Sequence, residues 1–319
     1  MIGKYEIEVY NNRVHYFLTV KRNITVIQGN SATGKTELIR LIDEHNTNGA
    51  SSGITVKCDA ECVVLNSSDW KVRLSAMNGN IIFIDENAVF LKTAEFAQAV
   101  RGSDNYFVIV TRDDLHQLPY SVDEIYGLKN VSDSAKYKSF QKTYNEMYKL
   151  YNLGTQTKIS PDIIITEDSN SGFECFDIIY QGRCVSAGGK SNVYKMLRDQ
   201  KSETKLIIVD GAAFGSEMGK VYRYMSEFDK SSILFAPESF EWIILKSGLI
   251  NVPNAITDET FMHADSKDYM SWEEYYTACL TEMTRNTILQ YSKSRLGDAY
   301  KTAGSIKKIA GVLPEQIRP

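Results

Sequence analysis

Residues 29 to 36 read Gly-Asn-Ser-Ala-Thr-Gly-Lys-Thr. They fall between an apolar run, Ile24 to Gln28, and a segment, Glu37 to His45, whose Leu38, Ile39, Leu41 and Ile42 recur at helical spacing. Strand, glycine-bearing loop and helix in that order constrain this chain more than any other stretch. The pattern G-x-x-x-x-G-K-[ST] in such a context predicts a phosphate cradle. Gly29 and Gly34 admit backbone conformations closed to other residues, so main-chain N–H groups from Asn30, Ser31, Ala32 and Thr33 onward can turn inward around an anion. Lys35 then offers an ammonium to β- and γ-phosphate charge, and Thr36 offers its hydroxyl to magnesium. The helix beginning near Thr36 adds the positive end of its dipole.

A second apolar run, Ile81 to Ile84, ends in the adjacent carboxylates Asp85 and Glu86, and a third, Tyr106 to Val110, ends in Thr111 and Arg112. Ligands of parallel α/β sheets bind at the carboxyl edge, where all these polar residues would lie. The set resembles the branch of P-loop ATPases that carries a catalytic glutamate beside a metal-binding aspartate. The resemblance implies ATP and Mg²⁺ as ligands, Asp85 with Thr36 as metal holders, and Glu86 as the residue that orients and deprotonates water. Thr111 is expected to sense the γ-phosphate. For Arg112 two readings stay open, stabilisation of transferred charge or an ion pair with Asp113. Two alternating runs before the loop, Tyr5 to Val9 and Val14 to Val20, are joined by the turn-prone pair Asn11-Asn12 and predict a hairpin. That start is similar to ABC/SMC-like ATPases. The 45 residues from Thr36 to Ile81 hold no L-S-G-G-x signature, so the resemblance stops short of a dimer with a composite ATP site.

Past residue 130 the pattern changes. Ser132 to Leu153, with Phe140, Tyr144, Met147, Tyr148 and Tyr151 at three- and four-residue steps, predicts an amphipathic connecting helix ended by Gly154. A second α/β pattern follows, with strands expected at Asp162 to Thr166, Phe176 to Tyr180, Leu206 to Val209 and Ser232 to Phe235, and a helix near Ser191 to Gln200. Gly188-Gly189-Lys190-Ser191 lacks the leading glycine of a phosphate loop and reads as a turn and helix start. Helices are expected over Ser271 to Leu289 and Ile306 to Gln316. The expected division is a P-loop domain over 1–130, a helical connector over 131–160, a smaller α/β domain over 161–250 and a helical C-terminal region over 251–319.

The runs Ile163-Ile164-Ile165-Thr166-Glu167, Ser186 to Val193 and Ile207-Ile208-Val209-Asp210-Gly211 resemble the TOPRIM fold of topoisomerases, primases and overcoming-lysogenization-defect nucleases. The resemblance implies a magnesium site in which Glu167 matches the family's glutamate and Asp210 its first aspartate. The second aspartate position holds Ala212, which weakens both metal binding and alignment of a phosphodiester. Glu217 is the candidate for a compensating ligand, with Asp168, Glu238 and Glu241 as further acids nearby. A P-loop joined to a TOPRIM-like domain resembles bacterial anti-phage proteins that act on or sense nucleic acid.

Composition bounds the remaining choices. With 319 residues and 43% hydrophobic side chains the chain can bury two domain cores. Its net charge of −4 excludes a surface that is everywhere a nucleic-acid field, and leaves only local patches, such as residues 285 to 308 with six basic side chains against one acidic. Five cysteines without a C-x-x-C pair suit a reducing cytoplasm better than a disulfide scaffold or a zinc site at Cys58 and Cys62. No apolar run reaches the length of a bilayer span, so neither membrane insertion nor export is expected. The expected function is a slow Mg-dependent ATPase whose nucleotide state controls a TOPRIM-like domain. Two alternatives stay open: a non-catalytic ATP-binding module docking a partner protein or a second copy of itself, and a Mg-dependent nuclease. The expected nucleic-acid contacts lie in the second domain or the basic C-terminal stretch.

Overall fold

The computed structural model describes residues 1–29, 34–132, 142–154 and 157–319, which divide into two compact units. The first comprises 1–151 and 261–270, and the second 152–260 and 271–319. Both are α/β.

In the first unit the strands are β1 (Tyr5–Tyr10), β2 (Val14–Val20), β3 (Ile24–Ile27), β4 (Thr55–Lys57), β5 (Cys62–Val64), β6 (Ile81–Ile84), β7 (Tyr106–Val110), β8 (Ile125–Asn130) and β9 (Thr143–Lys149). Helices α1 (Lys35–Asn48), α2 (Trp70–Ser75) and α3 (Ala94–Val100) fall between them. One nine-stranded sheet runs β4-β1-β2-β9-β8-β3-β7-β6-β5. From β8 to β5 its strands are parallel, and antiparallel pairs at β8–β9, β1–β2 and β1–β4 make the other half mixed.

The central strands are buried on both faces, as their unbroken apolar runs require. Ile81 and Phe83 of β6, with Tyr106, Val108 and Val110 of β7, share a core with Leu38, Ile39, Leu41 and Ile42 of α1. Phe107, which points the opposite way on β7, meets Phe96 of α3 edge-on at 6.0 Å. The β1–β2 hairpin turns at the expected place, where the Asn11 side chain accepts from the Arg13 N–H at 2.8 Å and its own N–H donates to the Val14 carbonyl at 3.1 Å.

The connecting helix expected from 132 to 153 is corrected. Residues 133–141 and 155–156 lie outside the described residues, and Thr143–Lys149 is strand β9, parallel to β2 and antiparallel to β8. Tyr144 and Tyr148 are four apart, which suits one face of a helix and equally one face of a strand. Period two prevails here because Asn145 is buried and Met147 packs on the core beside α1. Strands β4 and β8 were not expected from the sequence.

The second unit holds β10 (Ile163–Thr166), α4 (Ser171–Ile179), β11 (Cys184–Ser186), α5 (Lys190–Asp199), β12 (Lys205–Ile208), α6 (Gly215–Phe228) and β13 (Ile233–Phe235). It continues with α7 (Phe240–Lys246), α8 (Ala255–Asp258), α9 (Trp272–Thr284) and α10 (Ala303–Ala310). Its four strands are all parallel, in the order β11-β10-β12-β13. The strand expected at 176–180 is corrected to helix. Cys175, Phe176 and Ile179 are the buried positions of α4, a helical spacing that a five-residue window conceals. The strand itself lies downstream, at β11. The helices expected over 271–289 and 306–316 are shorter and shifted, at α9 and α10.

Chain reversal inside this sheet connects adjacent elements closely at Gly211. Its N–H donates to the Pro237 carbonyl at 2.6 Å, and a Cβ at this position would lie 2.6 Å from the Ala236 carbonyl oxygen and 2.7 Å from that of Pro237. Both obstacles are backbone, so they cannot rotate aside. Gly211→Ala is therefore expected to destabilise the second unit by about 1–3 kcal/mol. Denaturant unfolding in a Trp70→Phe background, where Trp242 and Trp272 of the second unit report fluorescence, measures this, and an unchanged midpoint would contradict the close approach.

Candidate functional site

The strand order of the first unit brings three chemistry-bearing strand ends together. β7 lies between β3 and β6, with Ile27 opposite Val110 and Ile84 opposite Ile109. At about 4.8 Å per strand, the start of the glycine loop, Thr111 and the Asp85-Glu86 pair sit within roughly 10 Å of each other along one edge.

The loop ends are built as the sequence predicts. Gly29 has φ of 128° and Gly34 of 84°, both in the region where glycine is favoured. Gly34 leads α1 from a left-handed cap, and its carbonyl accepts the Tyr16 hydroxyl of β2 at 2.8 Å. Asn30, Ser31, Ala32 and Thr33 lie outside the described residues. Lys35, the first residue of α1, is only 5% exposed, and its Nζ donates to the Gly29 carbonyl at 2.8 Å, so the lysine spans the loop from end to end. Burial lowers its pKa, the nearby Arg112 guanidinium lowers it further, and Glu86 opposes both. Thr36 is exposed.

Asp85 is buried, and among the described residues its side chain accepts only at Oδ1, from the Asn87 N–H at 3.1 Å and the Asn87 Nδ2 at 2.9 Å. Of the two readings of Arg112, the ion pair is made, but with a different carboxylate. Arg112 Nε lies 3.2 Å from Glu86 Oε2, while Asp113 pairs with Lys92 at 2.8 Å. Thr111 is buried and its Oγ1 accepts the Asp113 N–H at 3.0 Å, which fixes the turn that carries Arg112. A cavity of about 780 Å³ elsewhere in this unit, between α2 and α3 and lined by Trp70, Leu74, Met77, Ala99 and Lys267, contains none of these residues.

The second unit collects a different group. In the order β11-β10-β12-β13 the chain leaves β10 toward one side and β12 toward the other, and the crevice between their carboxyl ends is where parallel sheets bind ligands. Glu167 follows β10 and Asp210 follows β12. Glu167 Oε2 accepts the Asp210 N–H at 3.3 Å, and Asp210 Oδ1 accepts the Phe240 N–H at 3.2 Å. Glu241 and Lys293 line the same small pocket, of about 30 Å³, and Glu273 acts on it electrostatically. Glu217 stands apart on α6, paired with Lys220, and the pocket is lined without it.

Desolvation, then Glu273, pushes Glu167 up to about 7, with the Asp210 N–H and Lys190 opposing. Asp210 is raised well above the ordinary carboxylate range by burial and by Glu273, Glu167 and Glu241 together. Glu273, Lys293 and Tyr291 were missed as site residues, because Glu273 lies in a segment read only as a helix and Tyr291 and Lys293 in a stretch whose only sequence signal was its charge. Four of the six basic residues of 285–308 are engaged within this unit. Lys293, Lys301 and Arg285 pair with Glu273, Glu174 and Glu282, and Lys308 donates to the Gly248 carbonyl. Among the described residues no cluster of histidine, cysteine, aspartate and glutamate could hold a metal ion by itself, Cys58 and Cys62 included, and no helix is long and apolar enough to cross a membrane.

No family model matches the chain, and no curated protein or solved structure matches it either.

Because the native pKa of Glu167 lies above its ordinary 4.5, the folded state binds more protons than the unfolded chain between about 4.5 and about 7, and stability falls as pH rises through that window. Glu167→Gln removes the Glu167 share of that slope. The variant is expected to unfold at the same denaturant concentration as wild type at pH 4 and at a higher one at pH 8, and equal midpoints at both pH values would contradict the burial of an ionisable group here.

Proposed function

We propose that the first unit binds ATP with magnesium and hydrolyses it slowly, and that its nucleotide state governs the second unit, which acts on or senses nucleic acid. The observation that carries this reading is Lys35, an ammonium buried at the first turn of a helix, capped by a left-handed glycine and drawn across the loop to the Gly29 carbonyl. A buried cation at a helix N-terminus favours an anion, and a triphosphate offers several oxygens at once. Thr36 and Asp85 would hold magnesium, which would neutralise charge on the β- and γ-phosphates.

What the chain's own groups contribute follows from their surroundings. Lys35 holds the phosphates and, with its pKa lowered by burial, gains most from their charge. Glu86 accepts a proton from water once it parts from Arg112, and the released guanidinium can meet charge developing on the γ-phosphate. Thr111 holds the turn beneath both. An ion pair that must open before the base is free supports a slow rate.

Coupling to the second unit is supported by the chain path. The backbone passes between the units after residues 151, 260 and 270. The intervening 261–270 segment is tied to the start of β3 by Asn23 Nδ2, which donates to the Ser266 carbonyl at 3.2 Å and the Tyr269 carbonyl at 2.9 Å. The strand that ends in the phosphate loop therefore begins at the segment that joins α8 to α9.

A second reading, a non-catalytic ATP-binding module for a partner protein, draws on the same Glu86–Arg112 pair, which would keep the base engaged. Calorimetry and single-turnover hydrolysis separate the two. Lys35→Ala is expected to abolish ATP binding, and unchanged affinity would remove the nucleotide site. Glu86→Gln is expected to keep ATP affinity within about threefold and to slow phosphate release by about 10²-fold or more. Phosphate release that Glu86→Gln leaves unchanged would favour the non-catalytic module.

A further inference from the structure

The TOPRIM resemblance implies a magnesium ion at the second unit's acidic pocket, and the residues there do not fit one. The position that should supply a second aspartate is Ala212, buried and without a donor side chain. Glu217 does not line the pocket. The pocket already contains a cation of its own. Lys293 lines it, its ammonium pairs with Glu273, and its charge acts on Asp210 and Glu241.

Lys293 is held in place by its neighbours along the chain. The Tyr291 hydroxyl donates to Glu241 Oε1 at 2.7 Å and contacts the Ser171 hydroxyl at 2.8 Å, both in buried surroundings. The Ser171 N–H, at the start of α4, donates to the Lys293 carbonyl at 3.0 Å. The Tyr291 N–H donates to Thr284 Oγ1 at 2.9 Å. Residues 291–293 thus form a strap fastened to α4, α7 and the end of α9, with Lys293 at the pocket wall and its ammonium on Glu273.

We infer that Lys293 is a half-exposed counter-ion at the rim of this pocket that takes the place of a divalent metal there, so that the second unit in this arrangement is strapped against Mg²⁺ and Mn²⁺. Electrostatics and space both favour this. Buried carboxylates that crowd one another either take up protons or recruit a cation, and a tethered ammonium meets part of that demand. The cavity among these residues is small, about 30 Å³, whereas magnesium demands near-octahedral ligation and retains several waters. Loss of Lys293 should turn the same carboxylates into a metal site. The inference concerns the second unit alone and stands whether or not the first unit binds ATP.

The test is a Mn²⁺ titration of the full chain without nucleotide, by calorimetry, on wild type, Lys293→Met, Lys293→Arg and the double variant Lys293→Met with Asp210→Asn. Wild type and Lys293→Arg are expected to show no binding up to 1 mM at neutral pH, on the order expected of a site without free ligands. Lys293→Met is expected to bind at least tenfold more tightly than wild type, and the double variant to lose that gain. Wild-type binding that Asp210→Asn abolishes would overturn the inference, as would a folded Lys293→Met protein that gains no affinity. Should Lys293→Met fail to fold, Lys293→Gln, which is shorter by one atom but keeps a neutral hydrogen-bonding end, takes its place with the same expectation.

Discussion

The burial of one ammonium group organises the first unit. Placing Lys35 at the first turn of α1 with 5% exposure requires a loop that returns a carbonyl to it, a helix that begins without a side-chain cap, and a hydroxyl from β2 to hold the turn. Each requirement is met by a residue whose type is fixed by it: Gly29 and Gly34 for their backbone angles, Tyr16 for its reach. A Cβ on Gly34 would lie 2.7 Å from the Tyr16 hydroxyl oxygen, so the contact and the left-handed backbone both select glycine. The interleaving of β7 between β3 and β6 then brings a base, an acid and a guanidinium to the same edge. Desolvation is what makes this lysine sensitive to an anion, since a solvated ammonium would gain little from the exchange.

The second unit meets the opposite problem. Its sheet aims carboxylates from β10, β12 and α7 into one crevice, and no neighbouring donor set can satisfy them all. Burial and mutual repulsion raise the pKa of both Glu167 and Asp210, and the Lys293 ammonium opposes that rise at Asp210. Both units thus place like-facing polar residues at the carboxyl edge of a parallel sheet, where the helix and loop that follow each strand determine whether the edge is basic or acidic.

What was legible in the sequence follows from how local each signal is. The glycine turns that flank the start of α1, the hairpin and the strands β6 and β7 were legible because a glycine pair, an Asn turn and uninterrupted Ile, Phe and Val runs express their conformations within a few residues. Glu167 and Asp210 were legible as strand-end acids, and Glu241 as an acid after β13. The partners that define their chemistry were not, because Glu273 and Lys293 arrive from more than 60 residues downstream of Asp210, through packing that no local period encodes. The same limit explains β9, where aromatic residues four apart serve either period until the core chooses. It also explains Arg112, whose nearest acid in sequence is Asp113 but whose partner in space is Glu86. Sequence spacing sets which residues can share an edge, and tertiary packing decides which of them touch.

The central claim is that a triphosphate occupies the start of α1. The most direct measurement is a crystal structure of the full chain with a non-hydrolysable ATP analogue and magnesium. The account predicts density for β- and γ-phosphates within hydrogen-bond distance of Lys35 Nζ, with the Lys35 ammonium turned from the Gly29 carbonyl to the phosphates and the metal on Thr36. An analogue bound elsewhere, or a Lys35 still on Gly29 at saturating nucleotide, would contradict it.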